Sequence, residues 1–168
     1  FRDYTGLVLE GGEENDKVSA KVLMANYLNG IGAIGESLRF YADLTSVNPR
    51  FALMAASLSA KLRDVEQTKA FARKAEKYFS ELVSVRAGNV DARLGLAQSL
   101  VFAGREEEAA RLLNDGMRIE KNAKLSVGLG TVLLIWANRL AVEEPVTSLL
   151  KRMQILDTAT RVSPQDIV

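Results

Sequence analysis

Four groups of residues repeat one spacing along this chain, and a repeat restricts the possible folds more tightly than composition does. Tyr41, Leu44, Val47 and Pro49 are followed by Phe79, Leu82, Val85 and Ala87, then by Leu113, Gly116, Ile119 and Lys121, then by Leu156, Ala159, Val162 and Pro164. Each group steps by three, three and two. From Tyr41 to Phe79 to Leu113 to Leu156 the intervals are 38, 34 and 43 residues, the range of stacked helical hairpins. A hairpin of two amphipathic helices cannot cover its own apolar face, so it must stack on a copy of itself.

The stretches between the groups read as helix. Phe71, Ala72, Ala75, Tyr78, Phe79, Leu82 and Val83 step by three and four, while Lys69, Arg73, Lys74, Lys77 and Glu81 fall mostly on other faces. The same stripe runs through Leu38, Tyr41, Leu44 and Val47, through Ala109, Leu112, Leu113, Gly116 and Ile119, and through Leu149, Met153, Leu156 and Ala159. Only Pro49, Pro145 and Pro164 interrupt, and no run alternates with the period of a strand. The pattern predicts eight helices near residues 17–28, 33–46, 50–63, 65–85, 90–103, 106–119, 125–142 and 146–161. Residues 1–16 form a separate segment. Tyr4 to Leu9 is either a strand or the end of an earlier element, and Glu10 to Asp16 is an acidic loop without calcium-loop spacing.

The stretch Asp91 to Ile119 resembles the tetratricopeptide repeat. Leu96, Ala97 and Leu100 stand where that family carries Leu, Gly and Tyr in its first helix; Gly104 closes that helix, Glu108 and Ala109 open the second, and Leu113 takes the aromatic position. Ala97 and Ala109 are small where the helices cross, Gly104 can adopt positive φ, and Glu106 to Glu108 suit a helix N-terminus. The copy at Lys17 to Asn48 keeps Met24, Ala25, Leu28, Gly32, Tyr41 and the closing Pro49, with Ser37 as the second small residue. The copy at Phe51 to Ala87 keeps Met54, Ala55, Leu58, Ala75 and Phe79, but its small pair lies 20 apart against 12 in the others, so its hairpin should be longer by about two turns. The fourth copy matches only at its end, and Trp136 is not at the family's tryptophan position. Divergent HEAT-like hairpins give the same pattern.

The resemblance implies an all-α, right-handed α-solenoid of stacked antiparallel hairpins over residues 17–164, with 165–168 as the start of a further, truncated repeat. Pro164 stands at a closing position, so the last hairpin should present Leu149, Leu150, Met153 and Leu156 on an uncovered apolar face. It also implies a scaffold whose first helices line a groove for a peptide or partner helix. The family's groove positions fall on Val22, Asn26 and Asn29, on Ala52, Ala56 and Ser59, and on Leu94, Gln98 and Val101. This set is neutral and partly apolar. A Lys/Asn carboxylate clamp is excluded because Val22, Ala52 and Asp91 are the wrong types; only Asn26 fits.

Composition narrows the chemistry. The chain has no His and no Cys, which removes histidine acid/base catalysis, thiolate nucleophiles, disulfides and Cys/His zinc sites. A net charge of +1 gives no field to attract nucleic acid. No signal-peptide pattern is visible, and the apolar run Val127 to Ala137 is short for a membrane span. The compartment, cytoplasmic or periplasmic, stays open. Gly30, Gly32 and Gly35 spell a dinucleotide fingerprint, but helical spacing precedes it and no acidic residue lies at Phe51 to Ala60. Gly128 and Gly130 lack the Lys and hydroxyl of a phosphate loop. Glu106 to Glu108 and Glu143 with Glu144 read as helix caps, and the pairs Phe40/Tyr41 and Tyr78/Phe79 as core. The expectation is therefore a binding scaffold with no catalytic residue, cofactor or metal, a protein or peptide partner, and the option of a homo-oligomer. The alternatives are a nucleotide-binding domain at the Gly30 loop and a purely structural or oligomerisation module.

Overall fold

The computed structural model describes residues 14–162, with Glu14 described as backbone only. Tyr4 to Leu9, most of the acidic loop, Pro164 and residues 165–168 lie outside that range. The described residues form eight helices and no strand: α1 (Glu14–Gly30), α2 (Ile34–Val47), α3 (Ala52–Lys61), α4 (Val65–Val85), α5 (Val90–Phe102), α6 (Glu106–Ile119), α7 (Ala123–Glu143) and α8 (Leu149–Val162). The fold is all-α. Short polar residues start several helices: Asn89 accepts from the Ala92 N–H at 3.0 Å, Asn122 from Lys124 at 2.9 Å and Asp64 from Gln67 at 2.9 Å. Glu14 to Asp16, expected in the loop, already belong to α1. At the other end, Ser148 donates its hydroxyl to the carbonyls of Leu140 and Glu144, which holds a turn over 145–148 and delays α8 by three residues.

Three turns close in the same way. Gly32 (φ 82°), Arg63 (φ 59°) and Gly104 (φ 80°) are left-handed. The following residue in each case returns its N–H five residues back: Ala33 to Leu28 at 2.8 Å, Asp64 to Ser59 at 3.1 Å, Arg105 to Leu100 at 2.8 Å. This is the Schellman closure of a helix C-terminus. It makes Leu28, Ser59 and Leu100 equivalent, and it corrects the alignment of the second copy. Counting seven back and five forward from the left-handed residue gives Ala25 and Ser37, Ala56 and Thr68, Ala97 and Ala109, all buried and all 12 apart. The pair Ala55 and Ala75 is therefore out of register. The insertion lies wholly in α4, which has 21 residues where α2 and α6 have 14, an excess of about two turns.

The chain divides into two compact units, one up to Tyr78 and one from Phe79 on. In the first, α1 packs on α2 and α2 on α3. Its core holds Ala25, Leu28, Leu38, Tyr41, Leu44 and Leu58, and the buried Ser37 hydroxyl donates to the Ala25 carbonyl at 2.8 Å where the helices cross. In the second unit α5, α6, α7 and α8 pack each on the next, around Leu96, Leu100, Leu113, Leu125, Leu129, Leu133 and Ile155, with Phe79 and Val83 from the end of α4 against them. Helix α7 is longer and more apolar than the uninterrupted run in the sequence implied. By length and composition alone it could cross a membrane, but it buries Leu125, Leu129, Val132, Leu133, Ala137 and Leu140 in this core.

The repeated groups are only partly core. Tyr41, Leu44, Leu113, Gly116 and Ala159 are buried, whereas of the third members Val47, Val85 and Ile119 are exposed and Val162 is half-buried. The expected stripe on α8 also splits. Ala159 faces inward with Ile155, while Leu149, Met153 and Leu156 are exposed.

Candidate functional site

The expected groove residues divide along the register found at the turns. Val22 and Asn29 on α1 are half-buried and Asn26 is exposed; on α5 Leu94 and Val101 are half-buried and Gln98 is exposed. Ala52, Ala56 and Ser59 are fully buried. They cannot line an open surface, because a one-residue slip moves every position by about 100° around a helix. The corrected register replaces them with Leu53, Ser57 and Ala60, which are half-buried, half-buried and exposed. Ser59, now equivalent to Leu28, instead donates to the Gln67 side-chain oxygen at 3.0 Å inside the unit.

In the first unit this face is already tied down by its own hydrogen bonds. The Tyr41 hydroxyl donates to the Asn26 side-chain oxygen at 2.6 Å, and Lys61 Nζ donates to that of Asn29 at 3.2 Å. Burial pushes the Tyr41 hydroxyl above its ordinary pKa, so it stays a donor at neutral pH. The side-chain oxygens of both Asn26 and Asn29 are thus engaged as acceptors within the unit.

In the second unit α5 and α7 lie side by side and parallel. Lys124 Nζ is 3.3 Å from the Asp91 carboxylate, Leu94 covers the bare backbone of Gly128, and an Arg139 guanidinium nitrogen donates to the Gly104 carbonyl at 2.7 Å. The offsets at these three points are 33, 34 and 35 residues. Asn89 and Asn122, the capping residues of α5 and α7, are 33 apart, and this offset makes Leu94, Gln98 and Val101 equivalent to Val127, Thr131 and Leu134. The face thus joins Leu94, Gln98 and Val101 to Val127, Thr131 and Leu134, of which Val127 and Thr131 are exposed. The α7 residues escaped the sequence reading although they continue the same spacing of four and three, because no closing glycine marks that copy.

Two charged groups have structural tasks that the sequence did not reveal. Arg93, 7% exposed, donates to the Ala87 carbonyl at 2.7 Å and the Leu112 carbonyl at 3.1 Å, which ties α5 to α6 and to the turn before it. Glu106, read as a solvated cap, is 3% exposed, and its carboxylate lies 2.6 Å from Arg139. Burial pushes this carboxyl up, against the pull of its own backbone N–H and of Arg139, with Glu143 adding to the push. Glu108 differs: the Arg105 guanidinium bonded to it holds its carboxyl below the usual range. The Gly30 loop has no strand before it. Gly30 ends α1, Gly32 closes the turn and Gly35 lies in α2, so the backbone of a dinucleotide fingerprint is not formed.

A family model described as "Tetratricopeptide repeat" matches residues 72–127, spanning the end of α4, all of α5 and α6 and the start of α7. Residues 72–127 are tetratricopeptide repeat. The tetratricopeptide segment contains Asp91 to Ile119, the stretch with the fullest set of family residues. No curated protein matches the chain. Among solved structures, that of YrrB, a tetratricopeptide protein with an unusual peptide-binding site, is 18% identical with a TM-score of 0.48, covering 97% of this chain and 94% of that one.

Proposed function

We propose that the chain is a scaffold that binds a segment of another protein, and that the α5/α7 face of the tetratricopeptide segment receives it. One observation carries the reading: two parallel helices present Leu94, Val101, Val127 and Leu134 around a polar middle of Gln98 and Thr131. Apolar flanks suit side chains of an extended segment, and an amide beside a hydroxyl suits its backbone, which must keep hydrogen bonds when water leaves. Family membership of residues 72–127 supports the same class of function. The test is selection of peptides from a displayed library on the whole chain, followed by titration of the Thr131→Glu and Lys74→Glu variants. Thr131→Glu should weaken binding about tenfold, since a carboxylate loses hydration under a bound segment without gaining a partner. Lys74, exposed on α4 over the Phe71 ring, should tolerate the change. The reverse pattern would place binding elsewhere.

A further inference from the structure

Helix α8 has two apolar faces, and among the described residues only one is covered. Ile155 and Ala159 are buried, in a helix packed on α7. On the other side Leu149 is 55% exposed, Leu150 75%, Met153 60% and Leu156 39%. A helix that is apolar around most of its circumference belongs in a core, and the outer helix of a repeat array ordinarily turns a polar face to water.

The spacing of the outer face identifies its cover. Leu149, Met153, Leu156 and Thr160 step by four, three and four, so they fit alternating d and a positions of a heptad. Such a seam is matched by another helix packed alongside it, knobs into holes. With Met153 and Thr160 at a and Leu149 and Leu156 at d, Arg152 occupies g and Asp157 and Leu150 occupy e. In a parallel pair, g of one helix meets e five residues on in the other. Arg152 and Asp157 are five apart and opposite in charge, so two copies of this helix complement each other twice. An antiparallel pair would set Arg152 against Arg152. Arg152 is half-buried at the edge of this face, and the Asp157 carboxylate is 59% exposed, with the neighbouring Arg161 at 2.8 Å.

We infer that α8 is a self-association surface: a second copy of the chain covers Leu149, Met153 and Leu156 in a parallel, two-fold symmetric pair. The inference is independent of the α5/α7 face. Sedimentation equilibrium on the whole chain across about 1–300 μM should show a monomer–dimer equilibrium. Leu149→Glu or Met153→Glu, at exposed positions that leave the core intact, should abolish the dimer with an unchanged circular dichroism spectrum. Arg152→Asp and Asp157→Arg should each weaken it about fivefold or more, and the double variant, which restores opposite charges in exchanged places, should recover most of that loss. A chain that stays monomeric throughout, as it would if another helix or protein covers this face, overturns the inference. So does a dimer that survives Leu149→Glu and Met153→Glu, or a charge exchange that recovers nothing.

Discussion

Gly95→Ala separates close packing from helix propensity, which here act in opposite directions. Gly95 lies inside α5, where alanine is favoured over glycine by roughly 1 kcal/mol. A Cβ at this position would stand 2.6 to 2.7 Å from three atoms of the Phe79 ring. Carbon atoms prefer about 3.5–4.0 Å, so the ring would have to retreat by about 1 Å. Phe79 packs against the core of the second unit, and an aromatic ring moves as one rigid body. Overpacking of this kind costs about 1–3 kcal/mol, which after the propensity gain leaves a net loss of about 0–2 kcal/mol. Gly128→Ala is the control. Its Cβ would meet one terminal methyl of Leu94 at 2.6 Å, and a half-buried leucine can rotate that methyl away. That variant should keep most of its propensity gain. Urea denaturation of both variants measures the difference, and Gly95→Ala in a Phe79→Leu background should lose its penalty. A Gly95→Ala protein stabilised by about 1 kcal/mol would refute the packing argument, because propensity alone would then account for it.

Ala109, fully buried at the α5/α6 crossing, has no room for a larger side chain; Ala109→Leu should destabilise by about 1–3 kcal/mol in the same assay, and a neutral result would remove it from the crossing. Glu106 predicts a pH dependence. Its folded-state pKa is raised above 4.5, so the native state holds its proton more tightly than the unfolded chain, and this group's contribution to stability falls as pH rises from about 4.5 through the folded value. Measured from pH 4 to 7.5, the stability of the parent relative to Glu106→Gln should decline across that window and then level. A rise with pH would mean that attraction to Arg139 outweighs burial.

The helices were legible because amphipathic periodicity and the small pairs at their crossings are properties of the chain alone. All eight lie within three residues of the sequence expectation, with α1 starting three residues early and α8 three late. What the sequence concealed was register in the second copy. Gly32 and Gly104 announce a left-handed closure, but Arg63 makes the same closure with a side chain that pays a steric penalty there, so no signal marked it. The run Ala55, Ala56 and Ala60 then offered several small residues, and Met54 with Ala55 imitated Met24 with Ala25. One wrong choice among them turned three core residues into supposed groove residues. Glu106 was concealed for a different reason. Three consecutive glutamates look alike in sequence, and only the fold shows that one is enclosed beside Arg139 while the others pair at the surface with Arg111 and Arg105.

The same contrast explains why the proposed binding face is harder to read than the fold. Tyr41, Leu44, Leu113 and Gly116 recur at fixed spacing because each must fit a neighbouring helix, so packing restricts their size and period. Val22, Leu53, Leu94 and Val127, or Asn26, Ser57, Gln98 and Thr131, share positions on successive first helices but meet no common packing demand. Their identities are free to follow a ligand. They can be located only through the residues that do repeat, above all the three left-handed closures and the contacts that hold α5 beside α7. Position on such a face is therefore fixed by its scaffold, and chemistry by its own residues. On the proposed function, the alternation of apolar flank and polar middle on α5 and α7 is the part of that chemistry that a bound segment would match.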